Sequence, residues 1–171
     1  AENVLPYFRP RLVGYAFAQS SLAEITMHDA SWYESRRIDL RLDTPVLSCD
    51  LQTHTLTSKL GTENFDSIIF ATGSGPAVPL FARAALEHIH PLWNIGHAED
   101  IRQSLAHGRK IAVIGGGILG VEVAHRAALA GLDVVLVERL AHLMESNFCT
   151  EASEVVESLL RAKGIRLRLG T

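Results

Sequence analysis

Cysteine is scarce: the only two thiols, Cys49 and Cys149, lie far apart and belong to no CxxC-type motif, so no dithiol redox pair or cysteine metal knuckle is written into the chain. Both read as buried or incidental free thiols, since a redox role needs a lowered pKa and a nearby partner. A reducing cytoplasm fits that reading. The net charge of −3 comes without a basic cluster, so nothing recruits nucleic acid or an anionic membrane surface. No apolar run approaches the ~20 residues of a membrane span, and the first residues lack the charged-then-apolar pattern of a secretion signal. What is present, 47 % hydrophobic and 20 % charged residues in 171, is globular and suits one ordinary domain or two small or incomplete ones.

The chain is organised around Lys110 to Glu138, KIAVIGGGILGVEVAHRAALAGLDVVLVE. An apolar run, Ile111 to Ile114, leads into Gly115, Gly117 and Gly120 in GxGxxG spacing, and a second run, Val134 to Val137, ends on an acid. Gly115 allows the tight turn out of the strand, Gly117 allows backbone to approach a pyrophosphate, and Gly120 lets the helix pack close to the strand. The helix opening at Ile118 and Leu119 aims free N–H groups and a positive dipole end at the phosphates. Glu138 follows Gly120 by 18 residues, near the ~20 expected of the acid that holds an adenosine ribose 2′-hydroxyl. Strand, glycines, helix, strand and terminal acid in register predict a dinucleotide site, whereas the glycines alone would also suit a packing turn. Glu138 favours NADH over NADPH by repelling a 2′-phosphate, an effect the adjacent Arg139 could soften.

Ahead of this unit, Pro6 and Pro10 bracket Tyr7, Phe8 and Arg9, which suits an extended or turning segment. Arg9 has two readings, a planar phosphate clamp or a solvated loop arginine. A short helix is expected within Leu12 to Leu22. Short strands are then predicted where Ile38, Leu40 and Leu42 alternate, at Val46 and Leu47, and around Thr53, Thr55 and Thr57 before a turn at Gly61. Phe65 to Ala71, FDSIIFA, reads as a buried core strand delivered by a β-meander. Gly75 to Pro79 is a punctuated connector. His88, His90 and His97 find no acid or cysteine to complete a metal site and read as surface or satisfied histidines, so no metal centre is expected. Glu99 to His107 predicts a short helix stopped by Gly108. Thr150 to Lys163 predicts another, with an apolar stripe of Ala152, Val155, Val156, Leu159 and Leu160 and a stop at Gly164. Ile165 to Leu169 is the last strand. The resulting fold class is α/β, a Rossmann-like βαβαβ half-domain.

These motifs, with the ATG at Ala71 to Gly73, resemble the flavin-dependent pyridine-nucleotide-disulfide oxidoreductases. The branch that works without a redox disulfide, which includes nitrite, rubredoxin and ferredoxin reductases, is the most similar in LPYFRPRL at Leu5 to Leu12, SWYESRRIDL at Ser31 to Leu40 and FDSIIFATGSGPAVP at Phe65 to Pro79. The resemblance implies a partial FAD-binding domain over 1–75, a connector with a short helix over 76–108 and a partial NAD(P)H-binding domain over 109–171. It implies an internal fragment without the FAD-binding GxGxxG unit, the final FAD segment or the interface domain. By motif, Arg9 and Pro10 would lie toward the flavin, Val46 would meet the adenine through its backbone, and Ala71, Thr72 and Gly73 would approach FAD. Glu122 matches an acid that the family places near the nicotinamide, and equally suits a first-turn helix acid favoured by the dipole. No residue is a convincing acid, base or nucleophile, so the protein's work is to position cofactors.

Three functional readings follow. In full-length form the protein is an FAD-dependent reductase passing electrons from NADH to a protein or small acceptor, nitrite-reductase-like systems included. Alternatively, the chain is a non-catalytic NAD-binding or interaction module. The third, an unrelated single-domain dehydrogenase, is opposed by the meander and ATG segment upstream. Taken alone, the chain is expected to hold no tightly bound FAD, not to turn over NADH, and to self-associate through exposed apolar edges.

Overall fold

A computed structural model describes residues 2–78 and 88–171. Residues 79–87, inside the expected connector, lie outside the described residues, as does Pro79 of the punctuated stretch. In chain order the elements are a 3-10 turn Arg9–Arg11, α1 Leu12–Ala16, α2 Leu22–Ile25, α3 Ala30–Ser35, β1 Val46–Asp50, β2 Thr55–Ser58, β3 Gly61–Asn64, α4 Ile95–Leu105, β4 Lys110–Ile114, α5 Ile118–Leu129, β5 Asp133–Val137, α6 Thr150–Ala162 and β6 Arg166–Arg168. Packing divides them into two compact units, one of Ala1–Phe8 with Leu22–Ala77, the other of Arg9–Ser21 with Val78–Thr171.

The first unit is built on an antiparallel meander β1-β2-β3. Asp50 accepts from the amides of Gln52 and Thr53, a side-chain turn that reverses the chain into β2. Thr55 then pairs with Asp50 on one side and Asn64 on the other. Gly61, at φ +124°, turns β2 into β3 in a conformation that favours glycine. Before the sheet, Asp29 caps α3 by accepting from Trp32 N at 2.9 Å and Ser31 Oγ at 2.7 Å. Ile25 is the unit's fully buried apolar side chain among the described residues, while Leu47, Leu60, Ile69 and Phe70 face solvent.

Two expected strands of this unit do not form. Ile38, Leu40 and Leu42 lie in irregular chain. Arg37, at φ +57°, leaves α3 in the left-handed region, and the Ile38 amide turns back to the Tyr33 carbonyl, so the alternating side chains never enter a ladder. Phe65 to Ala71 is also irregular, with Ile69 90 % exposed. The Phe65 amide is tied to His54 O at 3.0 Å, where the two rings stack. A strand exists only where a neighbour supplies the other half of its hydrogen bonds, and no described segment does so here.

The second unit is a parallel sheet in the order β4-β5-β6. Ile111 pairs with Val134 and Ile114 with Val137, and Val135 continues to Arg166. The crossover helices are α5 and α6, giving the predicted β-α-β-α-β half-domain. Val134 and Leu136 are buried in the central strand, and Ala124 and Ala127 present no exposed surface on α5. Small side chains on that face let helix and sheet approach closely. Helix α1, buried along its length, packs on α4 and α5. The Tyr15 hydroxyl meets Glu99 at 3.3 Å, and the Arg102 guanidinium lies 4.7 Å above the Tyr15 ring and donates to its carbonyl at 3.1 Å. Burial, then the Glu99 charge, push the Tyr15 phenol up. This packing places Arg9–Ser21 and α4 together in the second unit.

Helix α6 has the predicted span, and only part of its predicted stripe faces inward. Ser153, Glu157 and Leu160 are buried, whereas Val155 and Leu159 of the apolar stripe are each 60 % exposed. The loop after β5 supplies backbone and imidazole donors to the buried Glu157.

Candidate functional site

The glycine turn connects β4 to α5. Gly115, at φ +106°, donates to Val137 O at 2.8 Å; its left-handed backbone is what requires glycine. Gly117 caps α5 in extended backbone, and a Cβ there would meet nothing within 4 Å, so the space beside it is open. Having no side chain to give, the cap leaves the first-turn N–H groups uncapped by any side chain, which is the arrangement that receives anions. Ile118 and Leu119 flank this turn with largely exposed side chains. At Gly120 the constraint is packing: a Cβ would stand 1.8 Å from Gly115 O.

Glu138 emerges from the end of β5 beside the turn. Its carboxylate accepts from Gly116 N at 2.5 Å and from Leu140 N at 2.8 Å. Those amides, Leu140 first and Gly116 second, hold the carboxyl below its ordinary value, because a hydrogen-bonded carboxylate is favoured over the acid. At neutral pH Glu138 is therefore an acceptor with spare lone pairs, suited to hydroxyl groups and hostile to a phosphate. Arg139 beside it is exposed.

The structure adds residues that spacing did not mark. Gly116 has a Cβ position 2.5 Å from Leu143 Cδ2 and 2.9 Å from Glu138 Cβ, and its carbonyl accepts from Met144 N at 2.8 Å. Met144 sits at φ +56° and Leu143 is completely buried. The loop after β5 thus closes on the middle glycine. The GxGxxG spacing passes over Gly116, and nothing in the sequence named Leu143 or Met144 as its partners.

The remaining candidates fall elsewhere. Glu122 lies one turn into α5, half-exposed, with Arg126 at 3.9 Å. Arg9 and Pro10 form the exposed 3-10 turn, where the Arg9 guanidinium donates to Trp93 O at 2.6 Å and lies 5.7 Å over the Trp93 ring. Val46 begins β1, and Ala71, Thr72 and Gly73 are exposed irregular backbone of the first unit, Gly73 at φ +71°. The glycine turn, uncapped helix and ionised Glu138 fit a pyridine dinucleotide. Among the described residues of the first unit no comparable cradle for a second pyrophosphate is formed. His90 pairs with Ser104 at 2.8 Å, and among the described residues no group of three or more His, Cys, Asp or Glu gathers for a metal. Both cysteines are free thiols.

Sheet order, crossover helices and a glycine turn at the carboxyl end of the first parallel strand define a Rossmann-like α/β protein of the dinucleotide-binding type. The chain belongs to the pyridine nucleotide-disulphide oxidoreductase family, whose pattern matches residues 1–171. It is 30 % identical to rubredoxin-NAD(+) reductase of Ectopseudomonas oleovorans over 98 % of this chain and 44 % of that protein. It is 28 % identical to the assimilatory nitrate reductase electron transfer subunit of Bacillus subtilis (strain 168), over 95 % of this chain and 21 % of that one. Its fold is similar to the ferredoxin reductase of the CYP199A2 system from Rhodopseudomonas palustris, with TM-score 0.90 and 25 % identity, over 99 % of this chain and 42 % of that one. The chain thus spans less than half the length of these relatives. The family is one of pyridine-nucleotide oxidoreductases.

Proposed function

We propose that this chain is the NADH-binding portion of an FAD-dependent reductase that takes hydride from NADH and passes electrons through FAD to an acceptor, in the cytoplasm. The observation that carries the reading is the glycine turn itself: Gly117 opens onto free space at the start of α5, and the ionised carboxylate of Glu138 stands at the neighbouring strand end. Gly115 and Gly120 shape the turn, the amides at Ile118 and Leu119 face the pyrophosphate, and Glu138 accepts from the adenosine ribose with Arg139 beside it. Glu122 serves the nicotinamide end. Arg9, Pro10, Val46, Ala71, Thr72 and Gly73 are assigned toward FAD by resemblance alone, with domain limits near 75 and 109. Bound nicotinamide and flavin supply the hydride and electron chemistry, and the chain orients them.

The acceptor is proposed to be a small redox protein, a class suggested by the relatives' names, or a small molecule as in nitrite-reductase-like systems. A second reading, a nucleotide-holding module without turnover, is favoured by the exposed Phe65 to Ala71 segment. The same apolar exposure supports self-association of the chain. NADH titration, absorption between about 350 and 500 nm, where an oxidised flavin absorbs, and NADH oxidation with an artificial acceptor separate the readings. Nucleotide binding without flavin or turnover is expected of the isolated chain. Failure to bind NADH would refute the site, and stoichiometric flavin with steady turnover would show this chain to be a complete reductase.

A further inference from the structure

The inner face of α6 carries a carboxylate where apolar side chains would serve packing better. Glu157 is 5 % exposed. A buried ionic group is seldom the most stabilising choice, since an apolar residue of similar volume is often neutral or better. What distinguishes Glu157 is where its bonds go. Oε1 accepts from Leu143 N at 3.2 Å and meets His142 Nδ1 at 3.3 Å, while Oε2 meets Arg161 at 3.4 Å. Leu143 and Met144 are the residues that close on Gly116, one by its buried side chain and the other by its amide. Gly116 in turn donates its own amide to Glu138. A continuous line of contacts therefore runs from α6 through the loop to the middle glycine and the ribose-side acid.

We propose that Glu157 is a positioning residue of the nucleotide site: it anchors the loop that holds the Gly116 backbone, and thereby sets the orientation of Glu138 and of the turn. The inference rests on the nucleotide reading above. Its physical basis is that Gly116 is clamped on both flanking peptide units, through its N–H by Glu138 and through its C=O by Met144, which fixes its backbone conformation. Losing the clamp adds freedom that nucleotide binding must then remove.

The test uses the full 171-residue chain. Glu157→Met and Glu157→Ala both remove the acceptor, one keeping side-chain volume and the other helix propensity, and Glu157→Gln keeps an oxygen for Leu143 N. Without nucleotide, amide exchange at Leu143 and Met144 should accelerate about tenfold in the removal variants, as expected for loss of one charge-assisted hydrogen bond. The Leu136 amide should be unchanged, which reports that the sheet stays folded. NADH affinity should fall about tenfold in the same variants and by less than about threefold in Glu157→Gln. Unchanged exchange at Leu143 and Met144 would overturn the proposal, and so would faster exchange with unchanged NADH affinity. A wild-type chain that takes no NADH would overturn the nucleotide reading first, visibly in the control, and this inference with it.

Discussion

Gly120→Ala is the substitution that most directly interrogates the helix-to-strand approach. Its new Cβ would stand 1.8 Å from Gly115 O and 2.9 Å from Gly115 C. Both neighbours are backbone, so no rotamer change relieves the clash. A comfortable carbon-to-oxygen contact is about 3.3 Å or more, so the start of α5 must retreat from the end of β4 by something over an ångström. Overpacking of this kind costs about 1 to 3 kcal/mol, and backbone neighbours put the cost at the upper end. Alanine returns up to about 1 kcal/mol through helix propensity. The clash wins, leaving about 2 kcal/mol of destabilisation, which in a unit of about 100 residues lowers the thermal midpoint by roughly 10 °C. Gly117→Val is the matched control: its added Cβ meets nothing within 4 Å, so it should leave the midpoint within about 3 °C while weakening NADH binding at least about tenfold by filling the pyrophosphate's space. Thermal melts followed by circular dichroism, with NADH titrations alongside, check both. A Gly120→Ala midpoint equal to wild type would refute the packing argument, and undiminished NADH affinity in Gly117→Val would mean that the glycines serve packing only.

Three further outcomes follow from the same geometry. NADH should bind at least about tenfold more tightly than NADPH, and Glu138→Gln should bring the ratio near one; equal affinities in the wild type would refute the role of Glu138. Because the Glu138 carboxyl is held below its ordinary 4.5, its stabilisation is complete above that pH and is lost as pH falls through the lowered value. Denaturant midpoints measured from about pH 6 to about pH 3 should therefore fall less steeply in Glu138→Gln. Gly116→Ala must displace the Cδ2 methyl of Leu143 and the Cβ and Cγ of Glu138, of which only the methyl is a flexible end, so it should cost about 1 to 3 kcal/mol by denaturant titration. Ser153 Oγ is buried with no hydrogen-bond partner among the described residues, and Ser153→Ala should be neutral or stabilising by about 1 kcal/mol in the same titration, because it removes an unmet polar group.

The sequence by itself determined the second unit's β-α-β-α-β order and the Gly115, Gly117, Gly120 and Glu138 frame. Each signal there is local: apolar runs of strand length, glycines at the turn, basic residues and a Gly164 stop ending α6. The short meander was also legible, because its threonines alternate and Gly61 punctuates it. Three matters depended on tertiary structure. Phe65 to Ala71 and Ile38 to Leu42 have strand-like composition, but a strand needs a partner's hydrogen bonds, and residue pattern cannot say whether one is supplied. The apolar stripe of α6 marked the helix and part of its inner face, with Leu160 buried and Ala152 and Val156 half-buried, but not the exposure of Val155 and Leu159 or the burial of Glu157 against Leu143 N and His142. Gly116 was silent in the GxGxxG spacing, because its requirement comes from a loop more than twenty residues onward. Periodicity reports the local form of a chain, while a close approach between distant segments is set only when both are in place.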